Sequence, residues 1–154
     1  MKKHFNKLLS VVVTASILAS CSKSYVAPNT TTATSPTSAD LTTVLISGSW
    51  VVSSFTQKTE DKTSKFSNMV FTFSANGALT VIDNGNTTNG TWNYTPAVTY
   101  YGSTSKAAIA INIGASNPLV LLTKTWNLIA STSSTIKIDS PEILEDEHVQ
   151  FGKK

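Results

Sequence analysis

The chain has 154 residues, 40% of them hydrophobic, with twelve Lys, no Arg, nine Asp plus Glu and a single cysteine. Lys2, Lys3 and Lys7 lie in the first seven residues, so nine cationic groups face nine anionic ones beyond them and the basic pI of 9.0 no longer describes the rest. A balanced chain without arginine lacks the electrostatic footprint of a nucleic-acid binder and the bidentate fork that grips phosphate. With one cysteine there is no intrachain disulfide, and the fold must rest on its apolar core.

The three lysines precede an apolar run from Leu8 to Ala19, the order of a secretory signal. The run is shorter than the roughly 20 residues a bilayer span needs. It ends in Leu18-Ala19-Ser20-Cys21, which resembles the lipobox of bacterial lipoproteins. That resemblance implies a signal peptide over residues 1–20 and lipid attachment at Cys21, which becomes the new N-terminus. Each buried methylene contributes about 0.8 kcal/mol, so two or more acyl chains anchor stably. Residues 22 to 40 are mostly Ser, Thr, Pro, Asn and Ala, a composition expected of a disordered tether. Ser22-Lys23-Ser24-Tyr25 has neither the Asp nor the acidic run that redirects lipoproteins, so by the same resemblance the outer membrane, on its periplasmic face, is the expected location.

Residues 41–154 have the size of one domain. They alternate apolar and polar side chains with period two, as in Met69, Phe71 and Phe73, then Ile109, Ile111 and Ile113, then Ile136 and Ile138, then Val149 and Phe151. Asn76-Gly77, Asn84-Gly85-Asn86 and Asn89-Gly90 are hairpin signals. About eight strands are expected, starting near Trp50, Met69, Leu79, Thr91, Ala107, Leu119 (running to Trp126), Thr135 and His148. One helical turn is expected, with Ser140 as N-cap and Pro141 at the first helical position. Short hairpin-linked strands with one apolar face leave that face and their edges open, which closing into a small antiparallel up-and-down β-barrel, the expected fold, or folding into a sandwich resolves.

Gly48-Ser49-Trp50 opening a strand, Phe71-Thr72-Phe73-Ser74-Ala75-Asn76-Gly77 running into a hairpin, and Gly90-Thr91-Trp92 opening another resemble the small lipocalin-like domains of bacterial lipoproteins. Trp126 in a late strand and the closing Val149-Gln150-Phe151-Gly152-Lys153 fit the same pattern. The resemblance implies that Gly48 and Trp50 form the structural motif at the closed end, with Lys153 or Lys154 replacing the family's stacking arginine through a weaker cation–π contact.

Catalytic constellations lack members. His148 is the only histidine after the signal, expected to face outward beside a solvated acidic turn of Glu142, Glu145, Asp146 and Glu147. No calcium-loop order is present, and neither metal nor cofactor is expected. The inner face is expected to carry Phe71, Phe73, Trp92, Tyr94 and Trp126, the candidate ligand-binding residues, in a filled or nearly filled barrel with any pocket at its open end. The expected function is a non-enzymatic binding module, lipid-anchored, for a small apolar ligand. The alternative is an envelope protein–protein interaction module or barrel-type enzyme inhibitor that uses loops, the segment from Val98 to Lys106 with Tyr100 and Tyr101 being the adaptable one. Nucleic acid is not an expected partner.

Overall fold

Alternation at period two has become strand after strand. A computed structural model describes residues 38–154; the expected signal segment, Cys21 and the expected tether up to residue 37 lie outside them. The strands are β1 (Ser49–Gln57), β2 (Glu60–Asp61), β3 (Met69–Phe73), β4 (Ala78–Asp83), β5 (Asn86–Thr95), β6 (Thr99–Tyr100), β7 (Ser103–Thr104), β8 (Ala108–Asn112), β9 (Lys124–Ser131), β10 (Thr135–Asp139) and β11 (Glu147–Lys153). Helix α1 (Ser38–Ile46) precedes them, and two 3-10 turns, Thr63–Phe66 and Leu119–Leu122, sit in connections. The eight strands β1, β3, β4, β5 and β8 to β11 pair antiparallel in chain order, and β11 pairs back on β1 from Trp50↔Lys153 to Gln57↔Glu147. The result is a closed up-and-down β-barrel, one of the two closures that the strand pattern allows. β2 extends only the end of β1, and β6 pairs with β7 in a separate hairpin.

Closure leaves two ends. Strand starts and stops alternate, so α1, the β3–β4 turn, the β5–β8 connection, the β9–β10 turn and the end of β11 share one end, the α1 end. The connections β1–β3, β4–β5, β8–β9 and β10–β11 share the other, the distal end. Both are plugged. Leu41 and Leu45 of α1 are buried at the first, while Phe66, Leu119 and Leu122 from the 3-10 turns are buried with the core toward the second.

Four local expectations are corrected. The bound expected for a tether, residue 40, falls inside a helix: α1 begins at Ser38, and its Leu41, Val44 and Leu45 repeat at i, i+3 and i+4 to present one apolar face. Asn89-Gly90 is not a turn but lies inside β5, where Leu79 pairs with Gly90. Asn84 (φ +47°) and Gly85 (φ +85°) already form the β4–β5 turn. Gly90 is there because a Cβ would lie 2.3 Å from the Asn112 carbonyl oxygen. The run Leu119–Leu122 is a 3-10 turn rather than strand, since only that turn places residues three apart, Leu119 and Leu122, on the same buried side. Ser140 to Leu144 make a turn and no helix; Glu142 N–H donates to Ser140 Oγ, but Ile143 and Leu144 find no apolar surface to pack on.

Candidate functional site

Inside the barrel the aromatic residues touch each other. Phe73 meets Trp92 edge-on at 5.5 Å and Phe151 at 6.1 Å; Phe71 meets Phe151 at 5.5 Å, and Phe55 meets Trp126 at 6.3 Å. Phe71, Phe73, Trp92 and Trp126 are buried, and Tyr94 is half-buried against the same core. The two indoles are also tied down, Trp92 Nε1 donating to the Ser74 carbonyl and Trp126 Nε1 to the Leu122 carbonyl, each at 3.0 Å. Four of the five residues expected to line a ligand pocket thus pack within the core, while Trp92 and Tyr94 also border a surface concavity of about 360 Å³ with Asn76, Gly77 and Asn93, and the end expected to be open carries buried side chains of the 3-10 turns.

Trp50 is fully buried, and its Nε1 donates to the Leu45 carbonyl at 2.9 Å. Lys153 does not stack on it: its Nζ donates to Ser47 Oγ at 2.9 Å, and its Cε is the atom a Cβ at Gly48 would meet, at 3.0 Å. The ammonium that lies over an aromatic ring is Lys124, 5.3 Å from the Trp126 centroid.

With the interior full, the chemistry lies outside, at the two ends. At the α1 end the β5–β8 connection rises into the β6–β7 hairpin. Its turn is Tyr101-Gly102, with φ +46° and +79°, a two-residue turn that Asn-Gly would make without strain. Tyr100 is 72% and Tyr101 92% exposed, their rings in edge contact at 4.4 Å, with Val98 also exposed. The hairpin is ordered at its base, where Ser105 N–H donates to the Val98 carbonyl and Val98 N–H to Ser105 Oγ, both at 2.9 Å. Beside it a concavity of about 300 Å³ is lined by Ala97, Lys106, Ala107, Leu128 and the exposed Ile129, among others.

At the distal end the acidic residues are organised rather than simply solvated. Glu147, expected in a solvated turn, is only 3% exposed. One carboxylate oxygen accepts from Lys124 Nζ at 2.6 Å and the other from Gln57 Nε2 at 2.7 Å. Lys124 also donates to Glu145 at 2.7 Å, and Ser140 Oγ donates to the same Glu145 oxygen at 2.6 Å. Desolvation alone would lower the Lys124 pKa, but its hydrogen bonds to Glu145 and Glu147 outweigh that and hold it above the ordinary lysine value. Glu147 stands in phase with Val149 and Phe151, and that spacing was the sequence signal for its inward position.

His148 faces outward as expected, with both ring nitrogens engaged. Nδ1 lies 2.8 Å from Asp139 and Nε2 3.1 Å from Asp146, which raises its pKa, Asp139 being the main cause. These ties hold the connection 140–146 on the barrel, and its tip displays Ile143 and Leu144, 91% and 89% exposed. Among the described residues no group of three or more His, Cys, Asp and Glu is placed to hold a metal ion, and no helix is long and apolar enough to cross a membrane.

Charge divides along the barrel axis. Glu60, Asp61, Asp83, Asp139, Glu142, Glu145, Asp146 and Glu147 belong to the distal end, against Lys58, Lys62, Lys65 and Lys124. The α1 end carries Lys106, Lys153 and Lys154, with Asp40 in α1 as its acidic residue among those described.

No family model matches the chain, and no curated protein matches it. Among solved structures, a DUF4847 family protein from Bacteroides vulgatus is similar at a TM-score of 0.54 with 16% identity, over 74% of this chain and 97% of that one. At that identity the likeness concerns the fold alone: the chain shares a small β-domain architecture with that protein.

Proposed function

We propose that this chain is a lipid-anchored envelope lipoprotein, held by acyl chains on Cys21 at the periplasmic face of the outer membrane, whose barrel acts without catalysis as an interaction module through its exterior. The observation that supports this reading is the packed interior: the aromatic residues pack on one another, and side chains of α1 and of the two 3-10 turns are buried at the two ends. What remains for recognition is a rigid scaffold that displays apolar tips, Ile143 and Leu144 at one end and Tyr100 and Tyr101 at the other. Large exposed apolar groups on ordered connections are the mark of contact surfaces. The lipobox-like Leu18-Ala19-Ser20-Cys21 supports the anchor.

Three measurements test this. Cys21→Ser abolishes labelling by a palmitate analogue in cells; equal labelling of the variant refutes the anchor. A photo-crosslinking residue at Ile143 yields a discrete protein adduct in the envelope, while native mass spectrometry of the purified protein shows no co-purified small molecule. A stoichiometric small molecule, with no adduct, returns the function to ligand binding.

A further inference from the structure

We infer that the α1 end of the barrel is a membrane-docking surface, seated on anionic phospholipid headgroups with the Tyr100–Tyr101 hairpin in the interfacial layer, and that the acidic end points away from the bilayer. The inference deepens the proposed function and rests on its lipid anchor. The sixteen residues between Cys21 and Ser38 span at most about 55 Å when extended, enough for either end of a small barrel to touch the surface that holds the acyl chains. Something other than tether length must therefore choose the orientation.

Three features of the structure choose the same one. The chain enters the barrel through α1, so the end closest in sequence to the anchor is the one that carries the hairpin. Charge agrees: lysines 106, 153 and 154 outnumber Asp40 of α1 at this end, while eight carboxylates crowd the other against four lysines, so an anionic surface attracts the first and repels the second. The hairpin supplies the third. Tyrosine pairs an apolar ring with a polar hydroxyl and favours the headgroup layer. Here one tyrosine occupies a left-handed turn position that costs backbone strain, an arrangement that folding alone does not ask for. Ile143 and Leu144 are as exposed as the tyrosines, but Glu142, Glu145 and Asp146 beside them make that tip a poor membrane contact and leave it free for a protein.

The test uses the mature acylated protein, purified in detergent and reconstituted into phosphatidylcholine–phosphatidylglycerol vesicles with brominated acyl chains. Tyr101→Trp and Ile143→Trp place a fluorophore at each end. Trp50, Trp92 and Trp126 are buried and give the same background in both. Docking predicts blue-shifted emission and several-fold stronger quenching for Tyr101→Trp than for Ile143→Trp. It also predicts a loss of about fivefold in the docking equilibrium for each of Lys106→Gln and Lys154→Gln. Equal quenching at the two positions, or stronger quenching at 143, overturns the inference. So does a photo-crosslink from position 101 to an envelope protein in place of quenching. Intact mass separates the two levels: a protein without acyl chains refutes the anchor and the docking together, whereas an acylated protein with equal quenching refutes the docking alone.

Discussion

The indole of Trp50 donates a 2.9 Å hydrogen bond to the carbonyl of Leu45, joining the first barrel strand to the last turn of the helix that closes the barrel. The bond satisfies two polar groups at once: a buried indole N–H and a carbonyl that the end of α1 leaves without an intrahelical partner. Around it, Leu41 and Leu45 are fully buried. α1 therefore belongs to the core, although only nine residues long. Leu45→Ala is expected to cost about 2–4 kcal/mol. Trp50→Phe, which keeps an aromatic ring but removes the indole N–H and leaves the carbonyl without its partner, is expected to cost about 1–3 kcal/mol. Urea denaturation followed by far-ultraviolet circular dichroism measures both; a Leu45→Ala loss below half a unit of that range would mean the helix is only an appendage.

Gly90 and Gly85 separate two reasons for glycine. A Cβ at Gly90 would collide with the backbone of Asn112 and Ile113, whereas at Gly85 it would meet nothing and suffer only from its positive φ. Gly90→Ala should lose about 3 kcal/mol or more by forcing β5 from β8, and Gly85→Ala about 1 kcal/mol. Thermal melts of the two variants side by side decide the order.

The Lys124–Glu147 pair is a buried ionic contact, so removing one partner is worse than removing both. Lys124→Met leaves Glu147 with its charge in a site that is 3% exposed, and should cost about 3 kcal/mol. Adding Glu147→Leu should recover most of that loss. A double-mutant cycle in urea reads the coupling, and additive losses would show that the two charges do not depend on each other.

His148 makes stability depend on pH in a stated direction. Its folded pKa lies above the ordinary 6.5 because Asp139 and Asp146 favour the imidazolium. The contribution is therefore complete below about pH 6.5 and is lost as pH rises through the raised value. His148 is half-exposed, so the effect should be no more than about 0.5 kcal/mol. Denaturation midpoints from pH 5.5 to 8.5 should fall in the native chain and flatten in this region for His148→Asn; a midpoint that rises across the same window contradicts the carboxylate clamp.

Most of the barrel was legible in the sequence because its information is local. Met69-Val-Phe-Thr-Phe73 and Thr135-Ile-Lys-Ile-Asp139 alternate as strands must when one face is buried, and Asn76-Gly77 and Asn84-Gly85 supply the positive φ that tight turns require. α1 was hidden because nine residues with two fully buried leucines adjoin a Ser/Thr-rich stretch, and only the barrel end gives their apolar face something to cover. Gly90 reads as a turn in sequence and as a close approach in space, since the neighbour that excludes a side chain is 22 positions away.

Most of the barrel strands and the charge balance were thus determined by the sequence itself, through side-chain period, turn chemistry and composition. Whether Phe71, Phe73, Trp92 and Trp126 line a cavity or fill it was decided only by closure, because interior volume depends on how rings from different strands interlock. The same holds for charge: nine lysines and nine carboxylates look neutral along the chain beyond residue 7, and only the up-and-down path of the strands gathers most of the carboxylates at one end of the barrel.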